Sequence, residues 1–243
     1  MTTSLTGKTI VLIGASSGIG LAVAHLLAEQ GAKLTIASRS QEKLERAAQA
    51  IDGDVTIRTI NTLNEASVQA FFDHYKAGEI DHLINFAGDS MGGGVLGTDL
   101  TAARNALESK FWGQFCVGRY GGVKIKSTGS LTFTSGSGPR PHQAIATVAA
   151  NAGVDLMAQS LAKELAPVRV NVVAPYYVDS PMWSGMKDTA RTQLFDRVAE
   201  QLPVGFIAKP EEIAPTYVYV LQTQYLNATT IPVNGGALLQ TIE

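Results

Sequence analysis

The sequence has almost nothing that would tie it together covalently or hold it in a membrane. Its one cysteine, Cys116, excludes an intrachain disulfide and fits a reducing compartment. On its own it reads as a small buried apolar residue rather than a reactive thiol. Neither charge sign dominates. Nineteen Lys and Arg against 21 Asp and Glu leave no basic footprint, so a nucleic-acid partner is not expected. No uncharged apolar run is long enough to span a bilayer, which predicts no membrane association. The opening MTTSLTGK lacks the apolar core of a secretory signal, so the expected location is cytoplasmic. No His, Cys, Asp and Glu cluster has ligand spacing, and no metal is expected. Repeats, low-complexity tracts and composition breaks are missing too, so residues 1–243 read as a single domain.

What is present is a hydrophobic content of 45 %, enough for a substantial core, and a telling use of glycine. The stretch Lys8 to Gly20, KTIVLIGASSGIG, organises the chain. Thr9 to Ile13 form a β-branched apolar run that reads as a buried strand. Gly14, Gly18 and Gly20 follow, then a helical pattern through Leu21, Val23, Ala24, Leu26 and Leu27, closed by Gly31. Strand, glycine turn and helix together make an anion site. Glycines let backbone N–H groups approach a phosphate, and the helix N-terminus adds its unpaired donors. A dinucleotide pyrophosphate is therefore expected on Gly14, Ser16, Ser17, Gly18, Ile19 and Gly20.

Strand patterns recur over 33–37, 55–60, 81–85, 130–134, 169–174 and 229–233. Helical patterns lie between them, over 41–51, 65–76, 100–120, 144–165 and 210–221, with a loop and helix over 179–202. Such alternation predicts an α/β fold, a Rossmann-type doubly wound parallel sheet covered on both faces. Ligands in such sheets sit at the carboxyl ends of the strands. At the end of the second strand a dinucleotide fold that takes NAD carries an acid for the ribose 2′-hydroxyl. Here Ser38 and Arg39 stand instead. A guanidinium with hydroxyls suits a 2′-phosphate, so NADP(H) is expected over NAD(H), although Arg39 also reads as a solvated surface residue.

The glycine spacing G-x-x-x-G-x-G resembles the short-chain dehydrogenase/reductase family, whose motif is TGxxxGxG. Further segments match in order: NFAG (Asn85 to Gly88), LAKELAPVRVNVVAP (Leu161 to Pro175), VDSPMW (Val178 to Trp183) and VNGG (Val233 to Gly236). The resemblance covers nearly the whole chain. It implies cofactor contacts from Asn61 and Thr62, where the family has Asp-Val, and from Asn85, Ala87, Gly88, Pro175, Val178 and Ser180. It implies a substrate lid over about 179–207, with Met182, Trp183, Met186 and Phe195 either lining the pocket or packing the lid down. It also implies a small-molecule substrate and a homodimer or homotetramer, built on faces carrying Phe111, Phe115, Tyr120, Val148, Leu156 and Leu161.

The family's catalytic set is Asn, Ser, Tyr and Lys, and here the match breaks. Ser135 fits the family Ser. Thr147 stands where Tyr belongs, Asn151 where Lys belongs, and Lys110 where Asn belongs. The Lys and Asn positions are exchanged, either reciprocally or by independent drift with Lys110 in solvent. Ser135, Lys110, Asn151 and Thr147 are the candidate catalytic residues, with Lys110 the expected acid. His142, Tyr176 and Tyr177 are further polar groups that loop packing alone would also explain. The expected function is NADP(H)-dependent oxidoreduction of a carbonyl or alcohol. A lyase or isomerase, or a silent cofactor sensor, on the same scaffold remains open, since fold alone does not choose among them.

Overall fold

The computed structural model describes residues 3–138 and 144–239. The first half runs β1 (Thr9–Ile13), α1 (Gly18–Glu29), β2 (Lys33–Ser38), α2 (Gln41–Ala50), β3 (Asp54–Thr59), α3 (Glu65–Phe72) and β4 (Ile80–Asn85). The second runs α4 (Leu100–Leu107), α5 (Gly113–Gly121), β5 (Ile125–Thr134), α6 (Ile145–Glu164), β6 (Arg169–Pro175), α7 (Asp188–Gln201), α8 (Pro210–Gln222) and β7 (Thr230–Val233). The strands form one parallel sheet in the order β3-β2-β1-β4-β5-β6-β7.

Strand β1 shows why the sheet is covered twice. Its side chains alternate faces with period two, yet none of Ile10 to Ile13 reaches solvent. Ile10 and Leu12 join a core with α1, α2 and α8. Val11 and Ile13 join a second core with α3, α5 and α6. A strand buried on both faces must be apolar throughout, as TIVLI is.

The chain winds outward from β1 to β3, then returns to set β4 beside β1. The loops leaving β1 and β4 part to opposite faces at this switch point and open the crevice where ligands bind.

The expected helix over 100–120 is not continuous. A π-helical turn, Glu108–Trp112, separates α4 from α5. Such a turn inserts one residue and leaves a backbone carbonyl without its i+4 partner. Buried Gln114 answers for it: its Nε2 donates to Lys110 O at 2.9 Å. Periodicity alone does not reveal an inserted residue, because the apolar pattern resumes on the far side.

Candidate active site

The glycine turn is as tight as its composition requires. Gly14 sits at φ +86°, and a Cβ there would lie 2.9 Å from Ala87 N. A Cβ on Gly20 would lie 2.6 Å from Gly14 O. The turn is thus pressed against the residues that follow β4. Gly18 opens α1 at φ +58°, and Ser180 from the loop after β6 packs on it, 3.6 Å from where a Cβ would stand. Helices α2, α3 and α4 are capped by the side chains of Ser40, Asn64 and Asp99. The α1 N-terminus, like those of α6 and α7, has no side-chain cap. Its first amides are left for an external acceptor, which fits a pyrophosphate over Ser16, Ser17, Gly18 and Ile19.

Beside this turn lie the ends of β2 and β3. Ser38 is half-buried at the end of β2, and Arg39 next to it is exposed. Among the described residues Arg39 makes no ion pair, so its guanidinium is open to a phosphate. Asn61 follows β3, but its Oδ1 already accepts from Leu63 N at 3.2 Å. Only its second lone pair remains for an adenine amino group. Thr62 packs toward Gly113 at the start of α5.

At the end of β4, Asn85 is fully buried. Its Oδ1 accepts from Ala87 N at 3.0 Å, and its Nδ2 has no partner. Gly88, at φ +152°, lets Lys110 lie across the backbone, since a Cβ there would be 2.7 Å from Lys110 Cδ. Lys110 is only 5 % exposed, so it does not point to solvent. Its ammonium makes no hydrogen bond or ion pair with the described residues. Burial lowers its pKa to about 8, while the Asp89 carboxylate opposes a further fall. Asp89 is held against the π turn, its N–H donating to Ser109 Oγ at 2.8 Å. Sequence reasoning missed Asp89, which adjoins NFAG, and Gln114, which only the π turn makes necessary.

Gln114 also fixes where Lys110 stands. Its Nε2 donates to Thr134 O at 3.0 Å and its Oε1 accepts from Thr134 N at 3.2 Å. The Lys110 backbone is thereby tied to the residue before Ser135. Ser135 is 4 % exposed, and its hydroxyl has no partner. Asn151 on α6 is buried with Oδ1 unpartnered, and its Nδ2 lies 2.7 Å from where a Cβ on Gly136 would stand. Ser135, Asn151, Asn85 and Lys110 thus present polar groups whose hydrogen bonding is unfinished. Buried polar groups left so are uncommon and fit a ligand or water that would complete them.

The whole chain has relatives that match this architecture. A family model described as enoyl-(acyl carrier protein) reductase matches residues 14–237. The short-chain dehydrogenase/reductase ATR9 of Stachybotrys chlorohalonatus is 30 % identical, the match covering 98 % of this chain and 99 % of that one. The chain belongs to the short-chain dehydrogenase/reductase family.

Among solved members, a small-chain dehydrogenase in complex with NADPH is 30 % identical with a TM-score of 0.79, covering 96 % of this chain and 99 % of its own. An actinorhodin polyketide ketoreductase with NADPH is 26 % identical with a TM-score of 0.81, covering 98 % and 99 %.

Within this short-chain dehydrogenase/reductase the usual Tyr position is closed. Thr147 Oγ1 accepts from Met91 N at 2.9 Å and donates to Met91 O at 3.0 Å. Ile145 N donates to Gly93 O at 3.1 Å. The hydroxyl expected in the catalytic set instead pins the loop after Gly88 onto α6. Pro175 ends β6 and accepts from Ser137 N at 2.8 Å. Val178 O accepts from Trp183 Nε1 at 2.9 Å.

On the lid, Tyr177 stacks on Trp183 at 5.2 Å and Trp183 meets Phe195 edge-on at 5.6 Å. These rings pack the lid on itself, while Met182 is exposed. Tyr176 lies against Gly138. His142 falls outside the described residues. Cys116 is half-buried, and burial pushes its thiol pKa up, the setting of an unreactive thiol. Among the described residues no acidic, His or Cys group could hold a metal ion, and no helix is long and apolar enough to cross a membrane.

Proposed function

We propose that this protein is an NADP(H)-dependent oxidoreductase acting on a small carbonyl or alcohol, with Lys110 in place of the family's Tyr as the acid. The observation that carries the reading is the buried Lys110, tied by Gln114 to the strand end that bears Ser135. When bound, NADPH would supply the hydride that the carbonyl carbon accepts. Ser135 donates a hydrogen bond to the carbonyl oxygen, and the Lys110 ammonium delivers the proton that completes the alcohol. A group with a pKa near neutrality suits that transfer, and an aliphatic hydroxyl such as Thr147 does not. The Asn151 amide holds the nicotinamide ribose hydroxyls, the task of the family's Lys. One amine and one amide are kept, with their positions exchanged. Arg39 and Ser38 take the 2′-phosphate.

The assembly belongs to the same proposal. Phe111 and Leu161 pack partly into the core, and Tyr120 donates its hydroxyl to Glu65. Trp112, Phe115 and Leu156 remain exposed on adjoining helix faces. A second copy covering them around a two-fold axis gives a homodimer, or half of a homotetramer.

The test is calorimetric titration with NADPH and NADH, paired with NADPH oxidation over ketones, aldehydes and quinones. Tight NADPH binding with turnover of a carbonyl is expected. Binding with no turnover would assign the fold to cofactor sensing or non-redox chemistry. The Thr147–Met91 clamp would then be the feature to reconsider.

A further inference from the structure

Asp155 lies one helical turn beyond Asn151 on α6, on the same face. Its Oδ1 is buried and has no hydrogen-bond partner. The same holds for Ser135 Oγ, across the gap between α6 and the end of β5. The Ser135 and Thr230 hydroxyls stand close enough to stabilise the carboxyl's charge, yet neither Ser135 Oγ nor Asp155 Oδ1 is in bonding geometry. Two unsatisfied buried oxygens in one region are costly, and a change of side-chain rotamer would pair them.

We propose that Asp155 is a positioning residue that sets which way the Ser135 hydroxyl points, and so whether the site captures a ketone or releases it. An ionised carboxylate only accepts. It draws the Ser135 O–H toward itself and leaves a lone pair facing the cleft, which a carbonyl oxygen cannot use. A protonated carboxyl instead donates to Ser135 Oγ and frees the serine O–H for the substrate oxygen. Burial supports the protonated form, raising the pKa, against the smaller opposing effect of the two hydroxyls. From the elements packed on α6, no charged side chain among the described residues contributes to this balance. Lys110 on the π turn answers to Asp89 instead.

This inference rests on Ser135 facing a carbonyl, so its test has an arm that needs no substrate. Protein labelled with 13C at the Asp carboxyl carbons is titrated by NMR, and the Asp155 signal is identified by its loss in Asp155→Asn. Its midpoint should lie above the ordinary carboxylate range. Ser135→Ala should move it higher still, because a donor to the carboxylate is gone. A midpoint unmoved by Ser135→Ala overturns the proposal.

The second arm follows NADPH oxidation with cyclohexanone against pH. In wild type, kcat/KM should fall as Asp155 ionises. Asp155→Asn, whose amide always donates to Ser135 Oγ, should keep the rate and lose that limb. Asp155→Ala should cost about tenfold with NADPH affinity unchanged, the scale of one orienting hydrogen bond. Equal losses in the Asn and Ala variants would mean a packing role only. NADPH binding without turnover of any carbonyl would sink the oxidoreductase reading, and the NMR arm would still decide this one.

Discussion

Replacing Lys110 with Met should make the cofactor-free protein more stable while disabling it. The side chain is almost fully buried, and its pKa is lowered from 10.5 to about 8. A depressed amine pKa means that the folded state binds fewer protons than the unfolded chain between those values. Stability therefore rises with pH through that window, and the full penalty is present below about pH 8. At roughly 1.4 kcal/mol per unit, the charged lysine costs the fold about 3 kcal/mol at neutral pH. Methionine is similar in length, needs no partner and is tolerated in cores. Urea unfolding at about pH 7 should therefore show Lys110→Met about 2–3 kcal/mol more stable than wild type, part of the gain being lost to imperfect packing. Near pH 9.5 the gap should shrink to about 1 kcal/mol, because the wild-type amine is by then neutral in the folded state. A destabilised variant, or a gap that does not change with pH, would show that Lys110 is not a buried charge.

Other substitutions test the remaining parts of the site. Arg39→Ala should weaken NADPH binding by about 1.5–3 kcal/mol, the scale of a hydrogen bond between charged groups, and leave NADH nearly unchanged by calorimetry. Equal loss for both would remove Arg39 from the 2′-phosphate. Thr147→Val deletes both bonds to Met91. It should speed amide exchange in the loop after Gly88 without lowering NADPH affinity, and protection equal to wild type would refute the clamp. Trp112→Glu should convert the expected dimer to monomer in sedimentation velocity, since it places a charge on the exposed aromatic face. A monomeric wild type at micromolar concentration would refute the interface outright.

The fold was readable because its signals are local and repeated. Runs such as TIVLI, bounded by glycine turns, need no knowledge of distant contacts, and the alternation of strand and helix leaves one architecture. The tight turn after β1 was readable for a related reason: Gly14, Gly18 and Gly20 are where any side chain would collide or strain. The catalytic end was harder. Nothing in ESKFWGQ announces an inserted residue, so the π turn, the burial of Lys110 and the need for Gln114 emerge only in three dimensions. The family resemblance puts Thr147 among the catalytic candidates, at the position of the usual Tyr. Its hydroxyl is spent on a loop segment more than 50 residues away, a long-range contact that helical spacing does not encode. Asp155 belongs to no motif in the sequence, and only the fold sets it near the partnerless Ser135 hydroxyl.

The central claim is that Lys110 supplies the proton, and single-turnover reduction followed against pH tests it most directly. Wild type loaded with NADPH should reduce a carbonyl at a rate that falls as pH rises through about 8, where the ammonium is lost. Lys110→Met should bind NADPH nearly as well, reduce the same carbonyl about 10²–10⁴-fold more slowly, and lose that limb of the profile. The same rate and the same titration in both proteins would contradict the account and return the search to Tyr176, Tyr177 or solvent.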